Sequence, residues 1–170
     1  MSSEKVEIVA QLEIRDMTID DFATVFHLGE RLFTAECSAS MYRTWDEYEI
    51  TTLYNSDSEL CIVAEIDSEV VGFALGTTVE KSNSSWKYGY LVWIGVRPGL
   101  QKKGVGDSLF HEIKKRMIKQ GVRMVIIDTD ADNEAGINFF EKHGFNNIQK
   151  HVYMTLNLAK KTRGRKRRKE

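Results

Sequence analysis

The sequence predicts an α/β fold in which a mixed, mostly antiparallel and twisted sheet is flanked by helices. The chain has 170 residues, of which 42% are hydrophobic and 29% charged, a length and composition typical of one soluble domain. Short β-branched runs and longer helical patterns follow one another as β-α-α-β-β-β-α-β-α-β. We therefore expect a single domain over residues 1–159.

The first part of the chain predicts one strand followed by two helices. Apolar and polar residues alternate over 9–16, which is typical of a strand. Thr18 is followed by two aspartates and an apolar periodic segment, as expected at the start of a helix. A second helix is predicted over 44–53.

The middle of the chain predicts three strands. The β-branched runs 59–67 and 69–80 are separated by a short turn and indicate a hairpin. A third run over 86–96 ends at Arg97-Pro98-Gly99, which stops a strand.

The last part predicts two helices, each followed by a strand. A helix begins near residue 104 and ends at Gly121, where glycine favours a C-cap. A buried strand over 122–130, a helix over 133–143 and an alternating strand over 147–158 complete the pattern.

The residue composition and the pattern of apolar residues argue against several classes of protein. Neither a signal peptide nor a membrane-spanning run is predicted, so we expect a cytoplasmic protein. Two cysteines and four histidines without metal-ligand spacing predict neither a disulfide framework nor a metal site.

The C-terminal segment 160–170 differs sharply from the rest of the chain. It contains eight Lys or Arg residues and one Glu, so it carries +7 while residues 1–159 carry −8. Its like charges and lack of apolar residues predict a disordered tail. The tail could bind nucleic acid or the ribosome, fold back on the acidic residues 1–159, or stay solvated without a partner.

A glycine-rich turn over 96–110 predicts an anion site, because it joins a strand to the N-terminus of a helix. The P-loop pattern is broken where Val105-Gly106 replace its Lys-Ser/Thr pair. The dinucleotide pattern is broken where Leu109 replaces its third glycine. The segment 101–106, QKKGVG, fits a third phosphate-binding pattern, Gln/Arg-x-x-Gly-x-Gly/Ala.

This third pattern resembles the pyrophosphate-binding signature of the GNAT family of N-acetyltransferases. A second segment, 133–145, is similar to a later motif of that family, in which an asparagine opens a helix. The two motifs and the element order together extend the resemblance over roughly residues 10–157. Within the family, the chain resembles the ribosomal-protein-alanine and N-terminal acetyltransferase branch.

The resemblance implies the GNAT fold, with six to seven strands and a splayed pair formed by the fourth and fifth. Acetyl-CoA would be the cosubstrate, its arm lying between the splayed strands, and no metal is implied. The backbone that pairs with the arm would be Ile94, Gly95 and Val96, with Gly95 suited to a bulge. The other implied cofactor-binding residues are Gln101, Lys102, Lys103, Gly104, Val105, Gly106, Asp107, Asn133, Phe139 and Phe140.

The chain departs from the family at two catalytic positions. Phe140 stands where many members have a tyrosine acid, and the strand before the glycine turn has no glutamate. Asp128 is the predicted replacement base, through a water, although an aspartate there could equally cap the following turn. Tyr90 and Tyr153 are candidates for the missing acid, and we assign Tyr153 with Asp128 to the catalytic set.

The resemblance predicts direct acetyl transfer from acetyl-CoA to a primary amine, either a peptide N-terminus or a small amine. The alternative is a non-catalytic CoA-binding module that docks through its basic tail. Residues 30–59 hold seven acids against two arginines, which predicts either a wall that attracts cationic acceptors or ordinary solvated helix faces. The acyl-chain length and the oligomeric state stay open, a homodimer included.

Overall fold

Five strands form one mixed sheet in the part of the chain that the structure describes. This computed structural model describes residues 3–33, 44–80, 86–152, 154, 156 and 158. The sheet order is β1-β2-β3-β4-β5, with antiparallel pairing from β1 to β4 and parallel pairing between β4 and β5. The strands are β1 Glu13–Asp16, β2 Cys61–Ile66, β3 Glu69–Glu80, β4 Lys87–Val96 and β5 Val122–Ile126.

The helices lie before, between and after these strands. Two single-turn 3-10 helices are present: Ile19–Asp21 lies just before the α-helix that begins at Phe22, and Ser58–Leu60 lies just before β2. None of the helices in the described ranges is long and apolar enough to cross a membrane. The α-helices are α1 Ser3–Gln11, α2 Phe22–Leu32, α3 Glu47–Asp57, α4 Val105–Lys119 and α5 Glu134–Lys142.

The chain divides into two units at residue 130. The first, Met1–Asp130, contains the sheet and the helices α1 to α4, and the second, Ala131–Glu170, contains α5. The predicted tail 160–170 lies outside the described residues, so its boundary with the domain stays a prediction.

The core of the first unit lies on both faces of β3. Phe73 and Leu75 are fully buried in a cluster with apolar residues of α2 and α3. Gly72 and Gly76 face side chains of α4, among them Leu109 and Ile113. Because side chains alternate along a strand, α4 covers one face of the sheet while α2 and α3 cover the other.

The predicted hairpin and the helices after residues 104 and 133 are confirmed. The turn between β2 and β3 is formed by Asp67 and Ser68, both of which have positive φ. Gly121 ends α4 with a φ of 82°, as a left-handed C-cap does.

The predicted first strand is shorter than its pattern. Alternation predicted a strand over 9–16, but α1 runs to Gln11 and pairing begins only at Glu13, opposite Glu65. The neighbouring strand β2 ends one residue later, at Ile66. Residues before Glu13 therefore have no strand beside them, and they form a helix instead.

The predictions for the last two strands were wrong. The first of them is not buried, and the second is not a strand in the described residues. The strand over 122–130 was predicted to be buried, but β5 is the edge of the sheet, and Met124 and Ile126 are each 45% exposed. The described residues of 147–158 form no strand, so the sheet has five strands rather than six to seven. Alternation determines which side chains share a face, but a strand also needs a paired neighbour.

One charged cluster ties β1 to the start of α2. The Arg15 guanidinium donates to both carboxylate oxygens of Asp21, at 2.7 and 2.9 Å, and to Glu65 at 2.8 Å. The backbone N–H and hydroxyl of Thr18 donate to the same carboxylate of Asp21. The hydrogen bond from Arg15 outweighs the burial of Asp21 and lowers the pKa of this carboxyl to about 2.

We expect Asp21→Asn to lower the free energy of unfolding by about 1–3 kcal/mol at pH 7, because it removes charge-assisted hydrogen bonds from a buried site. Since the folded pKa of about 2 lies below the unfolded value of about 3.9, this stabilisation is complete above that value. It is lost as pH falls through 2. Urea unfolding at pH 7 and pH 3 measures the difference, and exposed Asp20→Asn is the matched control. An equal loss in both variants would contradict the assignment.

Candidate functional site

The glycine turn lies between the end of β4 and the start of α4. Gly99, Lys102 and Gly104 have positive φ values of 88°, 63° and 101°, so the backbone reverses direction within a few residues. The Gln101 side chain donates to the carbonyl of Val96 at 3.2 Å, which ties the turn to its strand. The N-terminus of a helix offers N–H groups to an anion, so this turn is suited to a phosphate.

The strands β4 and β5 separate beyond the first half of β4. Their parallel pairing runs from Lys87 opposite Val122 to Tyr90 opposite Ile126. From there β4 continues to Val96, and its later residues pair with β3 on the other side. The parallel register with β5 therefore covers only the first part of β4, from Lys87 to Tyr90, as the predicted splayed pair requires.

Gly95 has a different role from the predicted one. It lies in regular register opposite Phe73, whereas the irregular pairing falls between Leu75 and Gly76, where Val92 is the extra residue of β4. A Cβ atom at Gly95 would lie 2.6 Å from Leu32 Cδ1 and 3.1 Å from the Phe73 ring. The glycine therefore allows α2 to approach the sheet, and the prediction of a bulge at Gly95 was wrong.

The separation point brings together two of the predicted catalytic candidates. Tyr90 is the last residue of β4 that pairs with β5, and Asp128 follows β5 by two residues. The Tyr90 hydroxyl donates a hydrogen bond to Asp128 Oδ1. Asp128 is exposed and Tyr90 half-buried, so the pair is accessible to a substrate.

An apolar cleft adjoins this pair. It has a volume of about 160 Å³ and is lined by Val79, Tyr88, Tyr90 and Ile126. Tyr90 belongs both to the cleft wall and to the hydrogen bond with Asp128, so a group in the cleft would lie beside the Tyr90 phenol.

Four predicted site residues, Asn133, Phe139, Phe140 and Tyr153, belong to the second unit. Asn133 caps α5, its Oδ1 accepting from the N–H of Gly136 at 3.0 Å. The Phe139 and Phe140 rings contact each other with centroids 5.2 Å apart, and Phe140 also contacts Phe145 at 5.4 Å. Phe140 is buried, so it has a packing role here. Tyr153 lies outside the described residues.

Three of the described acidic residues of 30–59 have roles in holding the fold together. Asp46 caps α3, and Asp57 accepts hydrogen bonds from the side chain of Thr77 and the backbone of Thr78. Glu49 accepts from the indole N–H of Trp93 at 3.1 Å. These carboxylates stabilise α3 and its contact with the sheet, so the acceptor preference predicted from their charge stays a prediction.

Cys61 is not an available nucleophile. It is fully buried at the start of β2, and burial raises the pKa of its thiol to about 12. A thiol with this pKa is protonated at neutral pH. The predicted direct transfer, which needs no covalent enzyme intermediate, agrees with this state of Cys61.

Two features of the site were not predicted from the sequence. One is the pairing of Tyr90 with Asp128, which are 38 positions apart and share no local motif. The other is the position of α1 beside the glycine turn, where Val9 and Lys5 approach Gly104. A helix ahead of the first strand was not expected, and only its Lys, Glu and Ala content could have suggested one.

Comparisons with known proteins agree with this geometry. Residues 23–145, more than half of the chain, match the model of the Acetyltransferase (GNAT) family. An acetyltransferase of Sodalis glossinidius is 30% identical over 133 residues, which cover 77% of this chain and 84% of that protein.

Solved structures share the fold at low sequence identity. The NatC complex bound to Gag peptide and CoA matches with a TM-score of 0.69 and 17% identity, covering 82% of this chain and 87% of that one. The aminoglycoside N-acetyltransferase AAC(6')-Iy in complex with CoA matches with a TM-score of 0.66 and 19% identity, covering 85% and 94%. The chain thus belongs to the GNAT family of acetyltransferases, and it is an acyltransferase.

Proposed function

We propose that the enzyme transfers the acetyl group of acetyl-CoA directly to a primary amine, either a peptide N-terminus or a small amine, and that Asp128 and Tyr90 move the protons. The observation that carries the proposal is the hydrogen bond between these two side chains at the point where β4 and β5 separate. Membership of an acetyltransferase family supplies the reaction class. Two structural neighbours were solved with CoA bound, which supports acetyl-CoA as the cosubstrate.

The residues of the first unit fit this cosubstrate. The turn over 101–107 would hold the pyrophosphate through backbone N–H groups, with Lys102 and Lys103 adding positive charge. The part of β4 that lies beyond its pairing with β5, Ile94 to Val96, offers backbone groups to the amide-containing arm of CoA. In the second unit, Asn133, Phe139 and Phe140 stay proposed contacts, of which Asn133 and Phe140 already have structural roles.

The proposed proton path balances the reaction. The neutral amine attacks the thioester carbon, the new C–N bond forms and the C–S bond breaks. Asp128 accepts the proton that the amine loses, directly or through a water. Asp128 then passes a proton to the Tyr90 oxygen as the Tyr90 hydroxyl proton moves to the departing thiolate. Both side chains end in their starting protonation states.

This path supplies the proton donor that is missing at position 140, where the chain has Phe140. A phenylalanine has no proton to donate, and the structure buries it among aromatic rings of the second unit. Tyr90 supplies a phenol from another element, and its hydrogen bond orients the hydroxyl toward Asp128. Tyr153, the other candidate acid, is the alternative donor that a Tyr90→Phe variant would reveal.

We expect a peptide α-amino group to be the better acceptor. Deprotonating an α-amino group near pKa 7.8 costs about 1 kcal/mol at pH 7, whereas a lysine side chain near 10.4 costs about 4–5 kcal/mol. An enzyme whose base is an exposed aspartate has little means to offset the larger cost.

The test is release of CoA thiol from acetyl-CoA on a panel of amines, with mass spectrometry locating the acetyl group. The panel pairs a peptide that has a free N-terminus and an internal lysine with the same peptide blocked at its N-terminus. It also includes a polyamine and an aminoglycoside. The α-amino preference predicts acetylation of the free peptide at least about tenfold faster than that of the blocked one. Acetylation only of lysine or of the aminoglycoside would contradict this preference, and no acceptor at all would contradict the proposed function.

A further inference from the structure

Helix α1 lies against the end of the glycine turn, at Gly104 and Asp107. A Cβ atom at Gly104 would lie 2.9 Å from Val9 Cγ2 and 3.1 Å from Lys5 Cε. The Lys5 ammonium also lies 3.6 Å from Asp107 Oδ2, in the first turn of α4. Two side chains one helical turn apart on α1 therefore reach the residues where a phosphate-binding turn meets its helix.

The side chains that α1 brings to the turn do not replace a bound phosphate. The Val9 methyl group is apolar and cannot replace the water or phosphate oxygens that the N–H groups of such a turn require. Lys5, the nearby cation, is directed to the Asp107 carboxylate. A segment of the same chain thus lies against Gly104 and Asp107, where the turn meets α4.

We propose that α1 is a displaceable strap, which lies over the glycine turn in the free enzyme and leaves it when acetyl-CoA binds. The inference rests on the proposed function, because it assumes that the pyrophosphate of acetyl-CoA binds at this turn. Docking of α1 and binding of the pyrophosphate are then mutually exclusive.

The strap is weakly held, as a displaceable element must be. Val6 and Val9 of α1 are 53% and 40% exposed, so a large part of each apolar side chain stays in contact with solvent. The ion pair of Lys5 with Asp107 is partly exposed on both sides, and such pairs contribute little stability. Ile8 lines an open cavity with Leu100 and residues of the hairpin rather than a filled core.

The affinity of acetyl-CoA tests the strap in the full chain. The double variant Lys5→Gln, Val9→Asn removes both contacts. Both residues are partly exposed to solvent, so polar side chains fit at these positions. Because a covered site lowers the apparent affinity by the fraction that is open, we expect the dissociation constant to fall about three- to tenfold in calorimetric titration. Val6→Asn, the same change on the same helix, is the matched control and should bind like the wild type. Unchanged or weaker binding by the double variant would overturn the proposal.

Hydrogen–deuterium exchange separates failure of the strap from failure of the proposed function. Saturating acetyl-CoA should slow exchange at the turn, residues 102–108, and accelerate it in α1. Slower exchange in both segments would overturn the strap but keep the site.

If acetyl-CoA leaves exchange at the turn unchanged, the proposed cosubstrate site is wrong, and the strap is judged without ligand. In that comparison the turn of the double variant should exchange faster than that of the wild type. Equal exchange in the two ligand-free proteins would overturn the covering of the turn by α1.

Discussion

Replacing Asp128 with asparagine is expected to lower turnover at neutral pH by about 10²–10⁴-fold, which is the usual contribution of a general base. The substitution keeps the shape of the side chain and an oxygen that can accept from the Tyr90 hydroxyl, while it removes the group that takes the amine proton. Since free amines deprotonate on their own as pH rises, the deficit should shrink toward high pH. Steady-state CoA release measured from pH 6 to pH 9.5 gives both quantities.

Two further variants test whether a loss of turnover in Asp128→Asn is specific to Asp128 and its hydrogen bond with Tyr90. Asp132→Asn changes an exposed aspartate four positions later and should leave turnover near the wild-type level. Tyr90→Phe removes the phenol that donates to Asp128 and should lower turnover without changing the affinity for acetyl-CoA. If Asp128→Asn retains full activity, the proton must leave through another group or through water alone.

Replacing Gly104 with glutamate is expected to weaken acetyl-CoA binding by roughly tenfold to a hundredfold, or about 1.4–2.8 kcal/mol. Gly104 begins α4 with a φ of 101°, and a side chain there would project a carboxylate into the turn proposed for the pyrophosphate. The new side chain would also push against Val9, but its negative charge remains beside the ligand. Calorimetric titration with acetyl-CoA measures the change.

Gly121→Glu is the control for this effect. Gly121 has a φ of 82° at the opposite end of α4, and no neighbouring atom would contact an added Cβ. It therefore carries similar backbone strain and the same added charge, but away from the turn. Affinity that falls equally in both variants would indicate general destabilisation and would remove the pyrophosphate from the turn.

The sequence by itself determined the features that depend on neighbouring residues. The spacing of residues 101–106 and the start of a helix just after them predicted a glycine-rich turn between a strand and a helix, which the structure has between β4 and α4. Asn133 and the apolar periodicity after it predicted α5, and the short turn at Asp67-Ser68 predicted the hairpin. Turns, caps and helical faces form from residues a few positions apart, so their patterns are legible in one sequence.

Only the tertiary structure decided the features that depend on which segments become neighbours. Alternation over 9–16 and 147–158 predicted strands, yet pairing starts at Glu13 and the described residues of the second segment form none, because a strand requires an adjacent edge. The Tyr90–Asp128 hydrogen bond joins groups 38 positions apart, and it arises because β4 and β5 run parallel and part just after Tyr90. The contact of α1 with Gly104 likewise joins distant segments, so no local pattern could have predicted it.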